Sequence, residues 1–434
     1  MAVLADSDTR WKWGALTARR LVPDARIDGL LLRGRATPTP RQLAEVGVTV
    51  DSMRETSGTR FVREAADRSA YDVVVLSCVG GAVQAMLHGM AAVARESAPG
   101  AERLRRPVVV TGYVGVVYEK LADGLLLRHG ADLVLANSRD DAERFRAVYE
   151  GVGADAGPVT EGALPFLGGD PYQGPREGRP FTVVFAAQPS VPASRADRAY
   201  LLRRAAAHAR AHPGREVLVK LRSRPGEHTT HIEEQPYQTL AARLPGGLPA
   251  NCRLVYGHMG EVLDRTDLLV TVSSTAALES LHRRIPTVVL TDLGIREGLG
   301  NHHFVGSGCL ASWEQLDAGY KPVPDAEWVA RQGVAAEGSY ETAFDAARER
   351  IAKLLAGGDM PALKPYYTPE TAPGYLPGIL ARHHLGPDGT PLPGAPAADK
   401  EPGPVRQIVR RAARGAYRHG VQRVAPVIRR MGEL

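Results

Sequence analysis

Cysteine is scarce. The 434 residues hold three, Cys78, Cys252 and Cys309, too few and too widely spaced for a disulfide scaffold and without the paired spacing of a zinc site. A reducing cytoplasm fits that usage. A phosphate-binding P-loop is absent, and so is a Gly-x-Gly-x-x-Gly after a strand, which removes the main support for kinase and dehydrogenase readings. The N-terminus lacks the basic and apolar regions of a secretory signal. Long uncharged runs are rare too. Residues 73–94 could cross a bilayer by length, but β-branched Val73-Val74-Val75 gives way to Gly80-Gly81, and Gln84 and His88 then interrupt the apolar face. Strand, turn and buried helix is the simpler expectation. Finally, the body of the chain has no net charge. The formal +6 equals the eight Arg and two Glu of residues 401–434, so the preceding 400 residues sum to zero and any pull on anionic surfaces resides in the tail.

What is present is a rhythm of short β-branched runs and helical patterns. Strands are expected at 3–5, 27–32, 46–50, 71–77, 107–111, 131–136 and 159–163, with helices at 11–21, 59–68, 82–95 and 138–149 between them. Ser138 followed by Asp140 and Asp141 reads as a capped, favourably charged helix start. Residues 165–180 are rich in Gly and Pro and mark a boundary. A second series then gives strands at 181–186, 216–221, 253–256, 268–272 and 287–290, and an amphipathic helix at 341–355 that could cross back to the first domain. Alternating strands and helices predict two doubly wound parallel sheets. The expected domains are 1–165 and 180–357, followed by an extended or disordered Pro-rich linker at 358–400 and a basic amphipathic tail at 401–434.

The sharpest local signal is Ser273-Ser274-Thr275, placed where an apolar strand beginning at Asp267 runs into a helix carrying Glu279. Free N–H groups, a helix dipole and hydroxyls suit an anion, with Glu279 positioned for a ribose hydroxyl; a plain helix cap is the competing reading. Lys220, Arg222 and Arg224 follow in alternation at an earlier strand end, which would turn all three to one side for a diphosphate or carboxylate, against a solvated basic loop. At the first strand's mouth stands Asp6-Ser7-Asp8-Thr9-Arg10. A metal-binding Asp-x-Asp is disfavoured so early in the chain. Asp8 as a helix cap, or Asp6 or Asp8 as general base or acceptor group with Arg10 beside them, are the alternatives. Gly80, Gly81 and Tyr113 lie in loops of the same sheet edge and are assigned to acceptor binding, and Glu119 is the runner-up base or an ordinary surface Glu. His228, His231, His302 and His303 lack metal-ligand spacing, so no metal is expected.

Taken with the stretch from Pro286 through Asp292 and Gly294 to Gly300-Asn301-His302-His303-Phe304, the segment around Ser273 resembles bacterial GT-B glycosyltransferases of surface-polysaccharide synthesis. It is more distantly similar to sialyltransferase and polysialyltransferase families, where a Ser/Ser-Thr motif holds a cytidine nucleotide's phosphate. Those relatives carry a His-Pro pair where this chain has Arg224-Pro225, which argues against a cytidine donor. The resemblance implies an α/β protein of two Rossmann-like domains facing a cleft. The second domain would bind a nucleotide-sugar donor, with Asp292 and Asn301 added to the donor residues above, and the first a glycan or lipid-linked acceptor. The nucleotide sugar is then a substrate and no cofactor is expected. A nucleotide-sugar epimerase of the same architecture and a non-catalytic glycan-binding scaffold are the rival readings. The tail is read as docking on an anionic membrane at the inner face, with a partner-helix or nucleic-acid contact and a floppy basic end as its alternatives; no nucleic-acid partner is expected for the protein.

Overall fold

The computed structural model describes residues 1–393 except 35, 67, 102, 117–119, 225–226, 228–232, 234 and 335–338. Two compact units emerge. The first comprises Met1–Phe166, Arg331–Gly333 and the later described chain, the second Leu167–Ala330 and Val334.

In chain order the strands are β1 (Ala2–Ala5), β2 (Asp28–Leu32), β3 (Ser52–Thr56), β4 (Val73–Ser77), β5 (Arg103–Leu104), β6 (Val108–Gly112), β7 (Leu133–Ala136) and β8 (Val159–Glu161), then β9 (Phe181–Ala186), β10 (Arg215–Lys220), β11 (Cys252–Val255), β12 (Leu268–Thr271), β13 (Thr287–Leu290), β14 (Leu310–Ala311) and β15 (Met360–Pro361). The first unit carries a seven-stranded sheet ordered β3-β2-β1-β4-β6-β7-β8, the second a six-stranded sheet ordered β11-β10-β9-β12-β13-β14. Both are parallel throughout. Strands β4, β6 and β12 are buried along their whole length, as central strands covered on both faces must be. In each sheet the order reverses beside the first strand, between β1 and β4 and between β9 and β12. At such a switch point the two following loops leave in opposite directions and open a crevice at the carboxyl edge.

Local chemistry explains most boundaries. Ser138 caps the helix Arg139–Gly151 by accepting from the Asp141 N–H at 3.0 Å, with Asp140 and Asp141 in the first turn as expected. Gly14 lets the helix Asp8–Leu21 lie close on the sheet, since a Cβ there would come within 2.7 Å of the Ser77 Cβ. The uncharged stretch from Val73 forms β4 and the buried helix Gly80–Ser97, and among the described residues no helix is long and apolar enough to span a membrane.

Three expectations are corrected. Residues 46–50 are not a strand. Pro40 and the Thr39–Gln42 capping box start a helix, Pro40–Val46, which Gly47 ends at φ 71°, and β3 follows in register with Asp28 opposite Ser52. The expected helix at 341–355 is two pieces, Ser339–Thr342 and Asp345–Ala356, and the second packs on the first unit, where Arg348 Nε donates to the Arg20 carbonyl at 2.8 Å. The expected linker at 358–400 is folded as far as it is described. β15 pairs with β5, the helix Leu376–Ala381 packs on Gly80–Ser97, and Leu363, Leu376, Ile379, Leu380 and Leu385 are core residues. Its prolines separate short elements, while the leucines between them supply enough apolar surface to anchor the segment. The tail at 401–434 lies outside the described residues.

Candidate functional site

Each unit has a carboxyl edge to which its sequence-derived candidates can be referred. In the second unit the switch point is bridged by a side chain that pattern reading missed. Gln188, two residues beyond β9, accepts from the Ser273 N–H at 3.0 Å, and its Nε2 lies 3.2 Å from Ser273 Oγ. Ser273 Oγ in turn donates to the Leu299 carbonyl at 2.6 Å, joining the loops after β9, β12 and β13. Ser273 is thus buried and engaged. Its neighbours are more open. Ser274 is half-buried and its Oγ accepts from the Ala276 N–H at 3.2 Å, while Thr275, at the cap position of the helix Ala276–His282, makes no side-chain cap bond. The hydroxyls are therefore divided, one buried and building the loop and two half-buried beside it. Glu279 lies in the same helix and is 8% exposed.

The basic trio does not line up as alternation requires. β10 ends at Lys220, opposite Val255, and Arg222 and Arg224 lie beyond the strand where side chains no longer alternate. Lys220 is buried with its ammonium donating to the Leu221 carbonyl at 2.8 Å. Arg222 is half-buried, and Arg224 is exposed with its guanidinium 5.6 Å from the Tyr256 ring centroid. Pro225 is outside the described residues. Asp292 and Asn301 both serve the scaffold. Asp292 accepts from the Tyr200 hydroxyl at 3.0 Å and the Trp313 N–H at 3.1 Å. Asn301, fully buried, donates to the Leu290 and Gly294 carbonyls and accepts from the Arg296 N–H.

The first unit repeats the construction. Asp6, one residue beyond β1, accepts from the Val79 N–H at 2.9 Å with one oxygen and from Arg10 at 2.8 Å with the other. Ser77 Oγ donates to the Arg10 carbonyl at 2.6 Å. The helix cap is Ser7, whose Oγ accepts from the Arg10 N–H, and Asp8 is the first helical residue rather than the cap. Gly80 is required by packing, since a Cβ there would stand 2.8 Å from Leu127 Cδ1, whereas Gly81 has ordinary room. Tyr113 is half-buried beneath this edge, its ring 4.0 Å from the guanidinium carbon of Arg128, and burial raises its phenol pKa. Arg128 donates to the Gly112, Gly124 and Cys78 carbonyls, fastening the loops after β4 and β6. Glu119 is outside the described residues.

His383 also escaped the sequence reading, because it sits in the supposed linker. It packs against Gly58, the first residue of the helix after β3, with a Cβ at Gly58 reaching 3.2 Å from the His383 Cβ. Burial holds its imidazole below the ordinary value of 6.5, with Asp6 pulling it upward and His384 and Arg382 pushing it down. A neutral imidazole can accept a proton at neutral pH.

Among the described residues His208, His212 and Asp317 have ligand atoms within 4.8 Å of one another. His208 Nδ1 is 2.6 Å from Asp317, Arg204 sits 3.0 Å from the same carboxylate and Arg215 3.1 Å from His208 Nε2. Two guanidinium groups on the would-be ligand atoms make this a hydrogen-bonded brace in which a cation is disfavoured.

The backbone is similar to those of several solved structures. One, a putative UDP-N-acetylglucosamine 2-epimerase from Listeria monocytogenes, is 11% identical with a TM-score of 0.48, over 82% of this chain and 95% of that one. The kitacinnamycin glycotransferase is 14% identical with a TM-score of 0.41, over 81% and 94%. The spinosyn rhamnosyltransferase SpnG is 16% identical with a TM-score of 0.40, over 81% and 96%. No curated protein matches the sequence. The family model described as "Putative glycosyltransferase (DUF6716)" matches residues 1–354, spanning both Rossmann-like sheets, and the chain belongs to that family.

Proposed function

We propose that the protein moves a sugar from a nucleotide-sugar donor to a cell-surface glycan or lipid-linked acceptor, without a metal ion. The observation that carries this reading is the second unit's switch point, where Gln188 and Ser273 shape the loop and leave Ser274 and Thr275 only half-buried. Nucleotides bind outside the carboxyl ends of such sheets. Ser274 and Thr275 would donate to the donor phosphate, Arg222 and Arg224 would balance its charge, and Glu279 would accept from the ribose. In the reaction the bond from the anomeric carbon to the phosphate oxygen breaks and one to the acceptor oxygen forms. The acceptor's hydroxyl proton passes to a base, for which His383 is the candidate because burial holds its imidazole neutral at neutral pH, whereas Asp6 is ion-paired with Arg10.

Ser274→Ala tests the donor site. After a thermal-shift screen of CMP, CDP, UDP and GDP, the best ligand is titrated calorimetrically. Losing one hydrogen bond to a charged phosphate should cost about 1.5–3 kcal/mol, roughly tenfold to a hundredfold in affinity, with the protein still folded. Wild-type affinity in the mutant would remove Ser274 from the site. Transfer also releases free nucleotide when acceptor is supplied, whereas epimerisation leaves the nucleotide sugar intact.

Residues 401–434 would place the enzyme at an anionic membrane surface, since they hold all of the net charge. Deleting them should leave folding and nucleotide binding intact and weaken co-sedimentation with phosphatidylglycerol vesicles by about tenfold or more. Unchanged sedimentation would end the membrane reading.

A further inference from the structure

On the carboxyl edge of the first unit, the segment leading to His383 sets an aromatic pair against a carboxylate. Tyr375 is 41% exposed, and its hydroxyl lies 3.2 Å from both oxygens of Asp123. Tyr367 donates to the same carboxylate at 3.1 Å and braces Tyr375 edge-on, with ring centroids 5.3 Å apart and planes at 78°. Tyr367 is itself fixed from behind, because its backbone carbonyl is 2.9 Å from the His88 Nε2. Asp123 belongs to the helix Leu121–Leu126, which follows β6, and the helix Leu376–Ala381 begins directly after Tyr375 and brings Ile379 to within 3.7 Å of a Cβ built on Gly81. The pair therefore sits by the start of the helix after β6, and the helix that follows Tyr375 packs on the start of the helix after β4, at the carboxyl edge that also carries Asp6.

We propose that Tyr375 and Asp123 form a subsite for one sugar ring of the acceptor. A pyranose offers an apolar face of C–H groups ringed by hydroxyl donors. Such a ligand asks for a flat apolar surface and, at its border, an anionic acceptor for a hydroxyl. Tyr375 supplies the first and Asp123 the second. A carboxylate has about four acceptor positions, and the two phenols leave capacity for a further hydroxyl. Both phenols stay protonated and donate to Asp123, because burial and the neighbouring carboxylate raise their pKa values. Their hydrogen bonds also fix the ring before any ligand arrives, which lowers the ordering cost of binding. The subsite names the acceptor side of the proposed transferase and rests on that reading only for the word acceptor; its capacity to bind a sugar does not depend on turnover.

The test is saturation-transfer NMR of the full-length protein with the methyl glycosides of glucose, galactose, mannose, rhamnose and N-acetylglucosamine. At least one should receive saturation, and Tyr375→Ala should weaken it by about tenfold or more. Tyr375→Phe, which keeps the ring and loses only the hydroxyl, should retain most of the signal. Nucleotide affinity, measured in parallel, should be the same in all three proteins. If no glycoside binds the wild type, or if binding is untouched in Tyr375→Ala, the subsite is overturned and the cluster is a latch for the C-terminal segment. If a glycoside binds in this pattern while no nucleotide binds, the subsite stands and the transferase reading fails. Should Tyr375→Ala unfold, Tyr375→Leu and Asp123→Ala supply the same comparison.

Discussion

Replacing Arg198 by alanine is expected to lower the stability of the second unit by about 3–5 kcal/mol and to weaken nucleotide binding along with it. Arg198 lies on the helix Arg195–Ala211 and is 1% exposed. Its guanidinium pairs with Glu233, donates to the Gln235 carbonyl at 2.7 Å, and reaches the Gln188 and Pro189 carbonyls at 3.0 and 3.1 Å. Its plane also lies 4.2 Å from the Tyr237 ring centroid. Truncation leaves a buried carboxylate and several carbonyls without their donor, and the loop that places Gln188 against Ser273 loses its anchor. Lysine should not rescue the loss, since one ammonium cannot replace a planar fork serving several acceptors. The measurements are the denaturant midpoint and hydrogen exchange of β9 and β12, with Arg203→Ala on the exposed side of the same helix as control. A loss below about 1 kcal/mol would show that the fork does not hold this loop.

His383→Gln should lower transfer by about 10²–10⁴-fold while nucleotide affinity stays unchanged, as for loss of a general base. The pH profile gives an independent check. The imidazole accepts a proton only in its neutral form, which is present above its folded-state pKa and lost as pH falls through it. Burial sets that pKa below 6.5, so kcat/KM should be level at neutral pH and fall on the acid side, at a lower pH than an exposed histidine would give. Asp8→Asn with normal turnover and His383→Gln with almost none is the expected pair of results. The reverse pair would transfer the role to Asp8.

Much of the architecture is legible in local pattern because a parallel sheet covered on both faces writes each central strand as an apolar run. β9 and β13 coincide with their expected limits, and β4, β6 and β12 deviate by a residue or two. Residues 46–50 misled because Val46, Val48 and Val50 alternate like a strand, while the decisive signals were the cap at Thr39 and the turn at Gly47. The site was less legible. Ser273 could be noticed from its neighbours in sequence, but Gln188 meets it across 85 residues, and that meeting depends on β9 and β12 being adjacent. Alternation brought Lys220, Arg222 and Arg224 into view but could not say where β10 stops. His383 and Tyr375 were hidden by composition, because a segment dense in proline reads as linker until the helix Gly80–Ser97 is seen to need its cover; Asp123 lies outside that segment, and its partners Tyr367 and Tyr375 stand 244 and 252 residues away in sequence.

That cover has a consequence for biosynthesis. The helix Gly80–Ser97 buries Met86, Leu87 and Met90 in the same cluster as Leu376, Leu380 and Leu385, which are among the last described residues made. A ribosome delivers the whole of the second unit before it delivers those leucines. The second unit can therefore complete its core from residues already emerged, whereas the first must hold an apolar helix face uncovered for the time needed to translate nearly three hundred more residues, about 15–60 s at usual bacterial and eukaryotic rates. Closing so long a loop adds little free energy beyond closing a shorter one, since its entropy grows only with the logarithm of length. The vulnerability is one of time. During that interval the nascent chain presents a helix face suited to chaperones or to self-association, and the N-terminal unit, although synthesised first, is the last to mature.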